Sequence, residues 1–246
     1  MTSGVRYDYA EAPPGMRLYA IGDVHGRADL LRQMTDRIAA EIVRDRPDDW
    51  RVIYLGDYVD RGPDSAGAID LIARLSADDP RHIALLGNHE KVFADFLADA
   101  ASWQYFASFE GETTARSYGV EIDFSDDVAI RQSHRALVAS VPQTHVAFLN
   151  SLKFSTVFGD FFFCHAGIRP GVALHAQDPH DLIWIRREFH THSGLHPKVI
   201  VHGHTPHDEP EVRPNRVNLD TYAFASGRLM AIAIEGDEKR FLEVVG

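Results

Sequence analysis

The stretch Leu18-Tyr19-Ala20-Ile21-Gly22-Asp23-Val24-His25-Gly26 runs a short apolar segment through a glycine into a polar cluster, and the pattern returns twice before residue 91. Val52-Ile53-Tyr54-Leu55 leads into Gly56-Asp57-Tyr58-Val59-Asp60-Arg61-Gly62, and Ile83-Ala84-Leu85-Leu86 leads into Gly87-Asn88-His89-Glu90. Runs this short, apolar on both faces and rich in β-branched and aromatic residues, read as buried strands. Between them the apolar residues recur at helical spacing: Leu30, Leu31, Met34, Ile38 and Ile42, then Ala68, Ile69, Ile72 and Leu75, then Val92, Phe93, Phe96 and Leu97. Pro47 and Pro80 stand just beyond the first two patterns, where a helix has to stop. Strand, glycine turn, helix, three times over, predicts βαβ units and an α/β fold with a largely parallel sheet. Ligands in such sheets collect at the carboxyl ends of the strands, where all three clusters fall.

Two later runs end the same way. Phe161-Phe162-Phe163-Cys164 precedes His165-Ala166-Gly167, and Val199-Ile200-Val201 precedes His202-Gly203-His204-Thr205. The stretch Phe154 to Cys164, broken at Gly159-Asp160, reads as a β-hairpin. Arg216 to Leu219, Leu229 to Ile234 and Phe241 to Val245 read as antiparallel strands, giving a second sheet from the C-terminal half. Residues 101–146 lack a clear strand and carry helical patches around Trp103 to Phe109 and Val128 to Val141, so they read as a helical insertion capping the site. Residues 1–15 read as a flexible lead-in, and the 246 residues fit one domain.

Composition narrows the function. A formal net charge of −11 argues against a broad nucleic-acid-binding surface, which needs clustered Lys and Arg. No apolar run approaches the roughly 20 residues of a membrane span. Nothing near the start has the form of a signal peptide, and the lone Cys164 excludes an internal disulfide. A cytoplasmic enzyme that binds neither a membrane nor a nucleic-acid polymer is the expectation.

The five clusters offer carboxylates, imidazoles and one amide, with no thiolate. This donor set suits Mn²⁺, Fe or Zn²⁺ and disfavours Cu(I) and iron–sulfur clusters. Asp23 and His25 alternate across one residue, so an extended turn can aim both at one ion. Asp57 leaves a neighbouring strand end, where each of its oxygens can take a different ion. Asn88 offers a neutral carbonyl oxygen, and His165 and His204 arrive from the later strands. Two divalent cations about 3.5–4 Å apart can share a water and lower its pKa toward neutrality, which suits in-line attack on phosphorus.

In order and spacing, G-D-x-H-G, G-D-x-V-D-R-G, G-N-H-E, H-A-G and G-H-T resemble the motifs of the PPP-type metallophosphatases of the calcineurin-like superfamily, a group containing eukaryotic serine/threonine protein phosphatases and bacterial and phage relatives. The likeness runs from about Arg17 to Ile234. It implies a four-layer αββα sandwich, two mixed sheets packed centrally with helices outside. It also implies a first metal site of Asp23, His25 and Asp57, and a second of Asp57, Asn88, His165 and His204. His89 matches the family's proposed general acid and Asp60 its orienting carboxylate. Arg61 matches a phosphoryl-binding residue, with Asn88 beside it. In Trp184-Ile185-Arg186-Arg187 the second phosphate-binding arginine matches Arg186. The implied activity is hydrolysis of phosphoserine or phosphothreonine, or with dual specificity phosphotyrosine as well, in a phosphorylated protein or peptide, with two divalent ions, Mn²⁺ foremost. The alternative is a symmetrical dinucleoside tetraphosphatase acting on a dinucleoside polyphosphate. Such relatives typically carry a small apolar residue at the position of Asp60, so its presence favours the protein phosphatase. One departure is Tyr222, where bacterial relatives commonly have glycine; it is a candidate substrate-binding residue that either lines the phosphate pocket or packs beneath it.

Other residues invite sharper readings than they support. Glu90 opens a helix and reads as structural, near the positive end of the helix dipole. Cys164 reads as a buried, inert thiol. His202 is expected to pack behind the site, and His207 is not expected to touch it, standing three residues after His204 where other metallophosphoesterases place a ligand two after. His175, His180, His190, His192 and His196 read as surface residues, and His82, His134 and His145 carry no motif.

Overall fold

A computed structural model describes residues 4–246; the first three residues of the expected lead-in lie outside the described residues. In chain order the elements are β1 (Met16–Ile21), α1 (Ala28–Asp45), β2 (Asp49–Tyr54), α2 (Ser65–Asp78), β3 (His82–Ala84) and α3 (Asn88–Ala98). Four helices follow, α4 (Trp103–Ser108), α5 (Gly111–Ser117), α6 (Asp127–Ser140) and α7 (Gln143–Ser151). Then come β4 (Ser155–Phe158), β5 (Phe161–Cys164), α8 (Pro179–Trp184), α9 (Arg187–His190) and β6 (Val199–His202). The chain closes with β7 (Glu211–Arg213), β8 (Arg216–Asn218), α10 (Ala223–Ser226), β9 (Arg228–Glu235) and β10 (Glu238–Val245).

The strands form two five-stranded sheets, ordered β10-β9-β1-β2-β3 and β4-β5-β6-β8-β7. β1, β2 and β3 are parallel, as are β5, β6 and β8, while the outer strands pair antiparallel. Alternation along the strands sets the layers. Leu18, Ala20, Ile53 and Ile232 turn one way and meet Phe161, Phe163, Val199, Val201 and Val217 of the other sheet. Tyr19, Ile21, Val52 and Tyr54 turn the other way onto Leu31 and Met34 of α1 and Ile69 and Ile72 of α2. Phe162, Cys164 and Ile200 turn outward onto Leu182, Ile183 and Phe189. Successive side chains of a strand point to opposite faces, so sheets apolar on both faces must be covered on both. The result is two central sheets with helices outside.

One expectation about the sheets is corrected. Of the three C-terminal strands only β8 enters the second sheet, and it lies parallel to β6. β9 and β10 extend the first sheet, with β9 antiparallel to β1. The pattern of β9 suits that place: Ile232 and Ile234 join the core between the sheets, and Leu229, Ala231 and Ala233 the core beneath the helices. The hairpin of β4 and β5 turns at Gly159-Asp160, as read. The lead-in is tied down over part of its length: Ala10 and Ala12 are buried in the core between the sheets, and Val5 bridges to His196. In the helical insertion, α5 and α7 pack on α2, and α6 packs on α3. Among the described residues no helix is long and apolar enough to cross a membrane.

Candidate active site

The polar clusters lie at the carboxyl ends of β1, β2, β3, β5 and β6, and their backbone is unusually strained. Among the described residues eight non-glycine residues have positive φ, and six are at these strand ends or facing them: His25, Asp57, Asp60, Arg61, His204 and Tyr222. Left-handed backbone costs an L-residue roughly 1–2 kcal/mol, and such strain gathers at functional sites because the surroundings hold it there. What holds the Asp57 turn is Glu90. Its fully buried carboxylate accepts the N–H groups of Asp57 (2.8 Å), Tyr58 (2.6 Å), Val59 (3.2 Å) and Gly87 (3.1 Å). Burial and the Asp57 charge push the Glu90 carboxyl up to about 8. The four N–H donors pull the other way and offer no acceptor for a carboxyl proton, so this geometry suits the ionised form. A Cβ on Gly87 would overlap Asp57 Oδ1, and one on Gly203 would overlap Asp23 Oδ1. Only glycine lets the backbone approach these carboxylates so closely.

The ligand atoms converge as acceptors. His165 Nδ1 is 3.0 Å from the Leu55 carbonyl and must donate to it, which turns Nε2 into the cluster; burial lowers the pKa of this imidazole, but the Asp57 carboxylate outweighs it and holds it above its usual value. That Nε2 lies 2.9 Å from Asn88 Oδ1, 3.2 Å from Asp57 Oδ1 and 3.2 Å from His204 Nδ1. His25 Nδ1 likewise donates to the Val59 carbonyl at 2.9 Å, turning Nε2 toward Asp57 Oδ2 at 3.7 Å. Asp23 Oδ2 accepts the His204 N–H at 2.9 Å, but its buried Oδ1 has no partner. Burial and the charges of Asp220 and Asp57 push the Asp23 carboxyl well above its usual range. Burial alone would also raise Asp57, but the His165, His89 and His25 imidazoles hold it well below. Crowded buried acceptors with an orphaned carboxylate oxygen call for cations, and the residues present fit them. Two triads bring one ligand atom from each residue within 4.8 Å of the others: Asp57, His165 and His204, and His25, Asp57 and His89. Asp57 belongs to both. The second triad holds His89 where the sequence reading placed Asp23, which stands beside it, bonded to the His204 backbone.

His89 Nδ1 is 2.7 Å from Asp60 Oδ2, both residues being buried. Burial pushes the His89 imidazole down to about 4, against the attraction of Asp57. Its Nε2 lies 3.9 Å from Asp57 Oδ2, and its ring meets His25 and Phe109 edge-on at 4.6 Å each. Arg186 Nε donates to His204 Nε2 at 3.0 Å, which puts the imidazole proton on Nδ1, facing His165 Nε2 in the first triad; a cation on Nδ1 would move that proton to Nε2 and displace Arg186. Arg61 Nη1 donates to His25 Nε2 at 3.1 Å and lies over the Phe224 ring at 5.0 Å. A cation on His25 would compete for that nitrogen. Both arginines line a cavity of about 570 Å³ together with His25, Asp57, Asn88, His89 and His204, whereas Arg187 does not. Tyr222 lines it too, and so do Phe109, Trp184 and Phe224.

A family model described as calcineurin-like phosphoesterase matches residues 16–231. The chain belongs to this family. The family is one of phosphoester hydrolases that bind two metal ions, and the His and Asp groups of this chain could hold metal. Curated relatives divide on substrate. The symmetrical bis(5'-nucleosyl)-tetraphosphatase of Dechloromonas aromatica is 40% identical over 75 residues, 30% of this chain and 24% of that protein. Serine/threonine-protein phosphatase 1 of Salmonella typhimurium is 29% identical over 96 residues, 39% of this chain and 40% of that protein. In both cases the chain spans less than half of the relative's length. A crystal structure described as "a putative diadenosine tetraphosphatase" shares the fold at a TM-score of 0.65 and 20% identity, covering 97% of this chain and 99% of that one.

Several residues near the site were not singled out from sequence. Asp220 is a buried carboxylate beside Asp23, pushed up to about 6 by its burial. Phe109 and Glu110 reach the cavity from the turn between α4 and α5, and Phe224 from α10. None carries a local signal beyond its residue type; the fold of the insertion brings Phe109 and Glu110 there, and the segment after β8 brings Asp220 and Phe224. Of the remaining histidines, His202 is buried against Phe189 and His190, and its Nδ1 lies 3.0 Å from the Gly203 carbonyl. His207 donates its backbone N–H to the Asp220 carbonyl. The surface reading of His196 is corrected: it is 2% exposed and stacks between Phe189 and His192. Cys164 is buried, and burial pushes its thiol up.

Proposed function

We propose that this chain removes phosphate from phosphoserine or phosphothreonine in protein substrates, using two divalent ions of which Mn²⁺ is the first choice and Fe or Zn²⁺ the alternatives. The observation that carries this reading is the buried His89–Asp60 pair, 2.7 Å apart, in a cavity that also holds Arg61 and Arg186. An alkoxide is a poor leaving group and needs a proton, so a positioned imidazole matters most for a serine or threonine ester.

Asp23, His25 and Asp57 would hold one ion, and Asp57, Asn88, His165 and His204 the other. Bound there, the pair supplies an acidified water and positive charge for the phosphoryl oxygens. The chain's own groups account for the rest. The planar forks of Arg61 and Arg186 suit phosphoryl oxygens better than an ammonium would. Asp60 accepts His89 Nδ1–H, fixing the tautomer so that Nε2 faces the substrate. A phosphate dianion beside Nε2 favours its protonated form, and Nε2–H then passes to the ester oxygen as the P–O bond breaks. Water oxygen joins phosphorus on the opposite side, so configuration inverts once and no phosphoenzyme forms.

A second reading, hydrolysis of dinucleoside polyphosphates, is favoured by the aromatic lining of Phe109, Trp184, Tyr222 and Phe224, which offers bases a stacking surface. Parallel rates on a phosphoserine peptide and on diadenosine tetraphosphate, with Mn²⁺-loaded protein, test the order. A higher kcat/KM on the peptide is expected; the reverse order overturns the protein phosphatase reading.

A further inference from the structure

The insertion between α3 and β4 sends one side chain into the His89–Asp60 pair. Thr114, in α5, is fully buried, and its hydroxyl donates to Asp60 Oδ1 at 2.6 Å. Thr114 Oγ1 in turn accepts the Asp60 backbone N–H at 2.9 Å and lies 3.0 Å from Ser65 Oγ. The Asp60 N–H also reaches Ser65 Oγ at 3.0 Å. One threonine 54 positions away thus grips both the backbone and the carboxylate of a residue held at φ +70°. With Oδ2 on His89 and Oδ1 on Thr114, the Asp60 carboxylate has one partner on each oxygen, and no other side chain among the described residues is hydrogen-bonded to it. Burial pushes the Asp60 carboxyl well up, and the Thr114 hydroxyl acts against that. One turn later Ser117 Oγ accepts the Ala66 N–H at 3.0 Å, locking α5 onto the start of α2.

We propose that Thr114 is a positioning residue for catalysis: it fixes the plane of the Asp60 carboxylate, and through it the Nδ1–H tautomer and aim of His89. Without its hydroxyl, Asp60 keeps His89 but loses the bond that stops the carboxylate rotating. Partners of this kind orient an imidazole, and losing one typically costs roughly 10–100-fold in activity. The inference rests on the assignment of His89 as proton donor to the leaving oxygen, so its effect must depend on the leaving group.

The experiment compares wild type, Thr114→Val, Thr114→Ser and His89→Asn, all Mn²⁺-loaded, on a phosphoserine peptide and on p-nitrophenyl phosphate. The nitrophenolate departs with little help from a proton, whereas the serine alkoxide does not. Thr114→Val is expected to lower kcat on the peptide on the order of tenfold or more, with KM and the nitrophenyl rate little changed. Thr114→Ser restores the peptide rate. His89→Asn shows the same selectivity, more strongly. Equal losses on both substrates with Thr114→Val, or no loss, overturn the inference while a selective His89→Asn leaves the proton-donor assignment standing. A non-selective His89→Asn overturns both. A second readout needs no turnover. In metal-free protein the His89 Nδ1–H proton, assigned by its absence in His89→Asn, should appear far downfield. It should shift or broaden in Thr114→Val and return in Thr114→Ser, and an unmoved resonance in Thr114→Val refutes the role.

Discussion

Replacing Glu90 by glutamine keeps the shape of the side chain and removes one of its two accepting oxygens. In the native site Oε1 takes the N–H groups of Tyr58 and Val59, and Oε2 those of Asp57 and Gly87. The amide can satisfy one pair and must turn its NH₂ toward the other. A hydrogen bond to a charged acceptor contributes about 1.5–3 kcal/mol, so losing two costs roughly 3–6 kcal/mol. Removing a buried charge returns part of this, leaving a net loss of about 3 kcal/mol. At a urea slope near 3 kcal/mol/M that lowers the unfolding midpoint by about 1 M. The assay is urea unfolding followed by circular dichroism at pH 7, with Mn²⁺ binding measured on the folded variant. Because one pair includes the Asp57 N–H and the other those of its neighbours Tyr58 and Val59, either choice loosens the Asp57 turn, and metal affinity should fall along with stability. A midpoint shift below about 0.3 M with unchanged Mn²⁺ binding would refute the reasoning. It would mean that Glu90 is a neutral carboxyl and that something else shapes the Asp57 turn.

Three further outcomes are expected. Asp57→Asn, which weakens the one carboxylate common to both triads, should cut phosphatase activity more than about 100-fold and lower Mn²⁺ stoichiometry in equilibrium dialysis; two ions bound at wild-type affinity would contradict a shared ligand. Tyr222→Gly removes a side chain at φ +56°, so released strain offsets the added backbone freedom and stability should stay within about 1 kcal/mol of wild type; a larger drop in thermal melting would mean the tyrosine is packed, not tolerated. Burial pushes His190 and His196 down to about 4, against about 6.5 in the unfolded chain. Between these values the unfolded state binds more protons, so stability is full above about pH 6.5 and is lost as pH falls toward 4; His196→Phe, which keeps the stacking on Phe189, should flatten that slope in melting curves, and an unchanged slope would exclude His196 as a source.

The local sequence determined most of what is chemical about this protein. Apolar runs ending in glycine and an acidic, amide or histidine residue placed Asp23, Asp57, Asn88, His165 and His204 at strand ends, because runs this short, β-branched and aromatic and bounded by glycine suit a buried strand and are too short for a helix. The same logic produced the first three βαβ units. Pairing was less legible: β9 carries apolar residues on both faces and fits either sheet by pattern alone, and only backbone hydrogen bonding to the free edge of β1 decides its place. The partners of the reacting groups were least legible. That Glu90 gathers four N–H groups, that Thr114 grips Asp60, that Asp220 lies beside Asp23 and that Phe109 meets His89 are all products of chain segments far apart in sequence. Residue types and spacing identify donors and acceptors along one strand end. Which of them meet depends on how the sheets pack and where the helical insertion docks, and long-range packing leaves no mark on the spacing of the residues it brings together.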